Sequence, residues 1–337
     1  MTTVSIGSLT LESTEVLHDV ELAYERCGKE GAPAILVCHA LTGDQFAVGT
    51  AENPGWWSGL IGPGKAVDTD VFQVITFNVL GGCHGSTGPT SINPETGEPY
   101  RASFPLLTIR DMVRAEYAAL KELGITHLTA VLGGSLGGMK ALEWGHLYPD
   151  FVDGILPLAV TPAYSDYGVA FNWIGIQSIE NDALFAGGNY ADSADLKGFE
   201  LARMAAMVTY RSGNLFDQRF RRSTKEGQFQ VESYLDYQGQ KLAKRFDANS
   251  YLTLLKAMNT HDVSREKIDV EIFTLSFTYD LLYPSEQMIP WLKSMPNASW
   301  EIIETQFGHD GFLVEFEKWG EYIQKKLNSL VVPELMR

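Results

Sequence analysis

Apolar residues form short strand-like segments that alternate with helical spacing from about residue 34 onwards. The strand-like segments are rich in Val, Ile, Leu and Phe, as is typical of parallel strands buried on both faces, and lie at 34–38, 71–78, 128–134, 154–160, 270–277 and 300–304. Residues 108–120 have apolar side chains at helical spacing, which predicts an amphipathic helix with Thr108 as its N-cap. Gly124 is predicted to end this helix. The alternation predicts an α/β fold with a mostly parallel central sheet flanked by helices.

Two parts of the chain depart from this alternation. Residues 1–30 alternate loosely between apolar and polar positions, which predicts an antiparallel hairpin. No strand pattern is present from about residue 161 to 264, and we interpret 161–265 as a helical lid inserted into a catalytic core formed by 1–160 and 266–337. Apolar residues in the lid are predicted to share a helix face in two groups: Trp173, Ile174, Ile176 and Ile179, and Leu201, Met204, Ala205 and Val208.

Composition narrows the class of protein. The 337 residues are 45% hydrophobic and 20% charged, which is typical of a soluble globular protein, and no apolar run is long enough to span a membrane. A net charge of −16 argues against binding to nucleic acid or anionic membranes. The first residues lack the pattern of a secretory signal, so we expect a cytoplasmic protein. Three cysteines without C-x-x-C spacing indicate neither a disulfide framework nor a zinc site.

A glycine-rich motif, GGSLG at 133–137, stands between a predicted strand and a predicted helix. This order suits the G-x-S-x-G corner, in which a strained strand-to-helix turn exposes a nucleophilic serine, here Ser135. Backbone N–H groups at the start of the helix lack helical partners and can stabilise an oxyanion beside that serine. The alternative is a glycine-rich turn with an incidental serine.

A serine nucleophile needs a base and a third group that orients the base. Asp280 and His309 follow later predicted strands, in the chain order serine, acid, histidine that α/β-hydrolases use. The other six histidines occupy less suitable positions. A second oxyanion donor is expected in the loop after the 34–38 strand, where the N–H of Leu41 is the candidate. The alternatives are a turn role for Asp280 and a packing or surface role for His309.

Several longer motifs resemble the homoserine O-acetyltransferase family of α/β-hydrolases. They are CHALTG at 38–43, GSTGP at 85–89, TIRDMV at 108–113, GGSLGGM at 133–139, RFDANSY at 245–251 and GHDGFL at 308–313. The resemblance implies a ping-pong acyl transfer, in which Ser135 takes the acetyl group of acetyl-CoA and L-homoserine then accepts it. The product would be O-acetylhomoserine, a precursor of methionine. The N–H groups of Leu41 and Leu136 would bind the oxyanion.

The same resemblance implies how the acceptor is bound. Arg203 would bind the homoserine carboxylate, Asp310 would bind its ammonium group, and Tyr210 matches a tyrosine that the family has beyond the arginine. From the residues alone, Arg203 is a polar position on an amphipathic helix. A homodimer formed through the lid is implied as well, with no permanently bound cofactor and no metal. Lys140 departs from the family, which commonly has glutamine there.

Three questions stay open at this stage. The shape of the pocket decides whether the acyl donor is acetyl-CoA or succinyl-CoA. It also decides whether the acceptor is homoserine or serine. A serine esterase or hydrolase would use the same three residues with water as the acceptor, whereas a catalytically inactive binding module would lack one of them. A run of basic residues is either a solvated lid face or a contact for the CoA phosphates; it comprises Arg211, Arg219, Arg221, Arg222 and Lys225.

Overall fold

An eight-stranded sheet forms the centre of the molecule. The computed structural model describes residues 1–331, and its main strands are β1 (Thr3–Thr10), β2 (Val16–Cys27), β3 (Ala34–Cys38), β4 (Gln73–Phe77), β5 (Leu128–Gly134), β6 (Val152–Leu158), β7 (Glu271–Phe277) and β8 (Ala298–Ile303). Their spatial order is β1-β2-β4-β3-β5-β6-β7-β8. Strands β3 to β8 run parallel, and β1 and β2 extend the sheet by antiparallel pairing. The predicted strands and the mostly parallel sheet are therefore confirmed.

Nine α-helices are present within residues 1–331. They are α1 (Ile109–Glu122), α2 (Leu136–Leu147), α3 (Asp166–Glu180), α4 (Lys197–Tyr210), α5 (Gly213–Phe220), α6 (Gln230–Ala243), α7 (Ala248–Met258), α8 (Ser285–Leu292) and α9 (Phe316–Leu330). Short 3-10 turns lie at Arg101–Ser103, Ala186–Gly188, Ser193–Asp195 and Gly308–Leu313. Two small ribbons pair Ile61–Gly62 with Val67–Asp68 and Thr224–Lys225 with Gln228–Phe229. No helix in this part of the chain is both long and apolar enough to cross a membrane.

The core consists of two apolar layers, one on each face of the sheet. Successive side chains of a strand point to opposite faces, so Leu36 of β3 joins one layer while Ile35 and Val37 join the other. All five residues of β3 are buried. This double burial explains why the strand is a continuous apolar run rather than an alternating one.

Helix α1 begins and ends where its sequence predicts. The Thr108 side chain accepts a hydrogen bond from the backbone N–H of Asp111, and the Asp111 carboxylate accepts one from the backbone N–H of Thr108. This reciprocal pair satisfies donors that the first turn of a helix leaves free. Gly124 follows the helix with a φ of +73°, a left-handed conformation that favours glycine. Thr108 as the N-cap is confirmed.

The lid helices α3 to α7 lie between β6 and β7, and one prediction about them is wrong. Ile176 and Ile179 of α3 are buried, whereas Trp173 and Ile174 are at least half exposed. A helix turns about 100° per residue, so Ile174 points roughly 160° away from Ile176. On α4, Leu201 and Val208 also face outwards and are at least half exposed. The lid therefore presents apolar side chains on its outer surface.

A buried ion pair joins α2 to α1. The side chains of Lys140 and Glu116 are 0% and 1% exposed and their charged groups are in contact. Trp144 donates its indole N–H to the same carboxylate at 3.1 Å. Burial alone would lower the pKa of Lys140, but the adjacent Cys38 and Glu116 outweigh burial and raise this pKa. Lys140 therefore remains charged inside the helix that follows Ser135.

Replacing Lys140 with methionine should leave a buried carboxylate without its cation. We expect Lys140→Met to lower the free energy of unfolding by about 3–5 kcal/mol, measured by urea denaturation at neutral pH. Adding Glu116→Gln removes the unpaired charge and retains an oxygen for Trp144, so the double variant should regain most of the loss. Lys325→Met, which breaks an exposed pair with Glu321, is the control and should unfold almost like the wild type. A single Lys140→Met variant as stable as this control would contradict the prediction.

Candidate active site

Ser135 occupies a strained corner between β5 and α2. Its φ of +58° and ψ of −123° lie in a region that side-chain-bearing residues rarely adopt. The corner is possible because the residues two positions before and after Ser135 are glycines. A Cβ at Gly137 would lie 2.1 Å from the Cys38 carbonyl oxygen, and one at Gly133 would lie 2.6 Å from the Gly137 backbone. The predicted G-x-S-x-G turn is therefore present, with the glycines at the points of closest backbone approach.

The structure brings Ser135, His309 and Asp280 into one hydrogen-bonded line. His309 Nε2 lies 2.9 Å from Ser135 Oγ, and His309 Nδ1 lies 2.7 Å from Asp280 Oδ2. Because a carboxylate only accepts, Nδ1 carries the ring proton, which leaves Nε2 to accept from the serine hydroxyl. All three residues are buried, with 4–5% of their surface exposed. This geometry lets His309 remove the Ser135 proton while Asp280 orients the ring.

Asp280 is fixed by the tight turn that follows β7. Its Oδ1 accepts hydrogen bonds from the backbone N–H groups of Leu282 at 2.9 Å and Tyr283 at 3.0 Å. The other oxygen is thereby left for His309. Both carboxylate oxygens are therefore satisfied within the protein, although the group is buried.

The loop after β3 is held by His39, a buried histidine for which the sequence predicted no role. His39 Nε2 accepts a hydrogen bond from the Val79 N–H at 3.0 Å, so Nδ1 carries the proton and donates to the Ala40 carbonyl at 2.7 Å. The N–H of Gly43 donates to the same carbonyl. The C=O and N–H of a trans peptide point in opposite directions, so these bonds aim the Leu41 N–H away from the His39 ring. Leu41 lines the same cavity as Ser135.

A cavity beside Ser135 is covered by the lid. Helices α3, α4 and α7 contribute its roof, and tyrosines occupy much of its wall. The lining includes Leu41, Tyr164, Tyr210 and Tyr283. Leu136, the first residue of α2, follows Ser135 directly, and its N–H belongs to the first helical turn, where donors have no helical partner.

The three residues implied for acceptor binding lie around His309. The guanidinium carbon of Arg203 is 5.4 Å from the centre of the Tyr210 ring, and that ring is 5.7 Å from the His309 ring. The Arg203 Nε is buried without a hydrogen-bond partner among the described residues. Asp310 follows His309 and binds Arg211, with Nε 2.9 Å from Oδ2. Tyr210 is thus close to both Arg203 and His309, and Asp310 is paired with Arg211.

The basic run does not form a single cationic face. Arg211 is engaged by Asp310, and the Arg219 guanidinium lies 4.5 Å from the centre of the Tyr234 ring. Arg222 lies 5.6 Å from the Phe229 ring. Apart from half-buried Arg211, the basic residues are exposed. The arrangement favours a solvated lid face over a phosphate site.

No cluster of three or more histidine, cysteine, aspartate or glutamate side chains suited to a metal ion is present within residues 1–331. Two residues that support the site, His39 and Arg211, were not predicted from the sequence. His39 had one usable indication, its position directly after a buried strand. Arg211 had none, because its partner Asp310 is 99 positions away in the chain.

Comparison with known proteins agrees with this fold and geometry. A family model described as the alpha/beta hydrolase fold matches residues 33–316, so the protein is of the α/β-hydrolase class. A homoserine O-acetyltransferase of Symbiobacterium thermophilum is 43% identical over 97% of this chain and 93% of its own. The chain belongs to the homoserine O-acetyltransferase family of α/β-hydrolases.

Two of the solved structures that this fold is similar to have different names. The homoserine O-acetyltransferase of Bacillus anthracis has a TM-score of 0.90 and 27% identity, over 97% of both chains. Esterase E22 has a TM-score of 0.89 and 26% identity, over 97% of this chain and 99% of its own. Overall shape therefore does not separate a transferase from an esterase.

Burial of His39 should make stability depend on pH. Burial, and then the charge of Lys140, lower the pKa of His39 from 6.5 to about 3. As the pH falls, His39 is therefore protonated in the unfolded chain before it is protonated in the folded protein. The free energy of unfolding that this histidine contributes above pH 6.5 is lost as the pH falls towards 3. Between about pH 7.5 and about pH 5 this contribution should amount to about 2 kcal/mol.

The measurement is urea unfolding of wild type and His39→Asn at both pH values. Asparagine can still donate to the Ala40 carbonyl but does not titrate, so the variant should lose less stability in acid. His18→Asn, at an exposed histidine, controls for the substitution itself and should behave like the wild type. Equal acid sensitivity of wild type and His39→Asn would count against the assignment.

Proposed function

We propose that this protein transfers the acetyl group of acetyl-CoA to the side-chain hydroxyl of L-homoserine through an acetyl-enzyme on Ser135. The observation that carries the proposal is the buried hydrogen-bonded chain of Ser135, His309 and Asp280. The distance from Ser135 Oγ to His309 Nε2 is 2.9 Å, and that from His309 Nδ1 to Asp280 Oδ2 is 2.7 Å. The name of the relatives supports the substrates. No permanently bound cofactor takes part, because the thioester supplies the activated acyl group.

In the first half-reaction, Ser135 Oγ attacks the thioester carbonyl as its proton passes to His309 Nε2. The N–H groups of Leu41 and Leu136 stabilise the negative charge on the former carbonyl oxygen. When the tetrahedral intermediate collapses, the carbon–sulfur bond breaks and the CoA sulfur takes the proton from His309. The enzyme then carries an acetyl ester on Ser135.

In the second half-reaction, the homoserine hydroxyl gives its proton to His309 and attacks the ester carbonyl. The same two N–H groups stabilise the second oxyanion. Ser135 leaves and takes the proton back, which restores the enzyme and releases O-acetylhomoserine. Asp280 stays ionised throughout and stabilises the imidazolium that forms at each stage.

Arg203, Tyr210 and Asp310 are proposed to bind the acceptor. The Arg203 guanidinium can bind a carboxylate with two parallel hydrogen bonds, and its free buried Nε supports that role. Asp310 is proposed to bind the ammonium group through Oδ1, because Arg211 occupies Oδ2. Both ends of the amino acid would then be held close to His309.

The lid favours transfer over hydrolysis. We propose residues 161–265 as the lid and the remainder as the catalytic core, since helices α3, α4 and α7 cover Ser135. Limiting the entry of water near the acetyl-enzyme lets a bound alcohol compete for it. The likeness to esterase E22 makes a serine esterase the second candidate, with water as the acceptor.

Release of free thiol from acetyl-CoA tests the proposal. We expect release to be slow with acetyl-CoA alone and to rise strongly when L-homoserine is added. Ser135→Ala should lower kcat by roughly 10⁴-fold or more, whereas Ser329→Ala, at an exposed serine of α9, should retain wild-type activity. Succinyl-CoA and L-serine, offered in place of the expected substrates, should react more slowly.

Three outcomes would contradict the proposal in whole or in part. Equal thiol release with and without L-homoserine would identify a hydrolase. Full activity in Ser135→Ala would remove the nucleophile from the mechanism. Faster turnover with succinyl-CoA would keep the mechanism and change the donor.

We propose further that two copies of the chain associate through the outer surface of the lid. Trp173 and Ile174 on α3 and Leu201 and Val208 on α4 are each at least half exposed, and the two helices pack against each other. Exposed apolar groups concentrated on one surface are typical of association sites. The three unpaired cysteines also support a reducing compartment such as the cytoplasm.

Sedimentation velocity tests the dimer. The wild type should sediment as a dimer, and Trp173→Glu combined with Leu201→Glu should sediment as a monomer, because charge within an apolar interface is costly. Leu106→Glu, at another exposed leucine outside the lid, is the matched control and should remain dimeric. A monomeric wild type at the concentrations used for assays would exclude this interface.

A further inference from the structure

Tyr283 contacts both the acid and the base of the catalytic line. Its backbone N–H donates to Asp280 Oδ1 at 3.0 Å. Its ring stacks on the His309 imidazole, with centres 4.9 Å apart and planes 30° apart. The residue therefore helps to hold two of the three proposed catalytic groups in place.

The hydroxyl of Tyr283 lies beside Ser135, the third proposed catalytic group. This side chain is 1% exposed, and its hydroxyl is adjacent to the hydroxyls of Ser135 and Tyr164. It forms no hydrogen bond of standard geometry within the part of the chain that the structure describes. A buried hydroxyl without a fully formed hydrogen bond is costly to retain, and the neighbouring Ser135 oxygen is an acceptor that can complete one.

The Tyr283 hydroxyl is suited to donating a hydrogen bond while it keeps its proton. Burial, and then the neighbouring Tyr164, raise the pKa of the Tyr283 hydroxyl well above its ordinary value. It therefore stays protonated throughout the pH range in which His309 acts as a base. The charge that develops during acyl transfer is negative and passes through Ser135 Oγ, the atom beside it.

We propose that Tyr283 is a further catalytic residue, whose hydroxyl donates a hydrogen bond to Ser135 Oγ while the bond between that oxygen and the acyl carbon forms or breaks. The inference rests on the proposed acyl-enzyme mechanism. Tyr283 keeps its own proton in every step. The proton of Ser135 still passes to His309, and Tyr283 stabilises the oxygen that has given it up.

This role differs from that of the oxyanion donors. Leu41 and Leu136 act on the former carbonyl oxygen, whereas Tyr283 acts on the serine oxygen. Because both half-reactions form or break the bond to Ser135 Oγ, loss of the hydroxyl should slow both. Substrate binding should be little affected, since the interaction strengthens only in the transition state.

Tyr283→Phe isolates the hydroxyl, because it retains the stacked ring and the backbone N–H. We expect kcat to fall roughly 10- to 100-fold, with KM for acetyl-CoA and L-homoserine unchanged within about twofold. Single-turnover acetylation of Ser135 by p-nitrophenyl acetate should slow to a similar extent with the same final burst amplitude. Thermal unfolding should remain close to wild type.

Tyr164→Phe is the comparison variant, since it removes the neighbouring hydroxyl and leaves the one beside Ser135. The fold decrease in kcat caused by Tyr164→Phe should be at least five times smaller than the one caused by Tyr283→Phe. Equal losses in the two variants, or a Tyr283→Phe enzyme within about twofold of wild-type kcat, would overturn the proposal. A rise in KM without a fall in kcat would do so as well.

The ester assay separates this inference from the proposed function. If the wild type is acetylated by p-nitrophenyl acetate but does not transfer to L-homoserine, the proposed substrates are wrong. A slower burst in Tyr283→Phe would then still support the role of Tyr283, because that burst requires only the acetylation of Ser135.

Discussion

The positive φ of Ser135 is the constraint on which the active site depends. A residue with a Cβ adopts a φ of +58° only where its surroundings compensate the strain. Here the compensation is close backbone packing, since Gly137 lies against the Cys38 carbonyl with no room for a side chain. The same corner directs the serine hydroxyl at His309 and places Leu136 at the start of a helix. The proposed nucleophile and one proposed oxyanion donor therefore belong to the same turn.

The other residues proposed for catalysis and acceptor binding are held by three separate sets of contacts. The turn after β7 holds Asp280 with two backbone N–H groups, His39 holds the loop that contains Leu41, and Arg211 holds Asp310. The buried pair of Lys140 and Glu116 adjoins Cys38, whose carbonyl packs against Gly137 of the serine corner. Rigid support of this kind reduces the reorganisation needed when charge develops in the reaction.

The sequence predicted the features that depend on local residues. β3 was recognisable as a continuous apolar run and α1 by its Thr108 cap, because each depends on neighbours a few positions away. The same holds for the glycine-rich corner at Ser135. Helix faces in the lid were less predictable: apolar spacing on α3 and α4 does not say whether a face packs inwards or, as at Leu201, faces outwards. Contacts such as Arg211 with Asp310 depend on folding as a whole.

The central claim is that a covalent acetyl group resides on Ser135 between the two substrates. The most direct test is peptide mass mapping after the enzyme has been mixed with acetyl-CoA alone and quenched in acid. The account predicts an acetyl group on the peptide that contains Ser135, at that residue, and its removal when L-homoserine is added before the quench. An enzyme that turns over both substrates while Ser135 stays unmodified at every time point would contradict it.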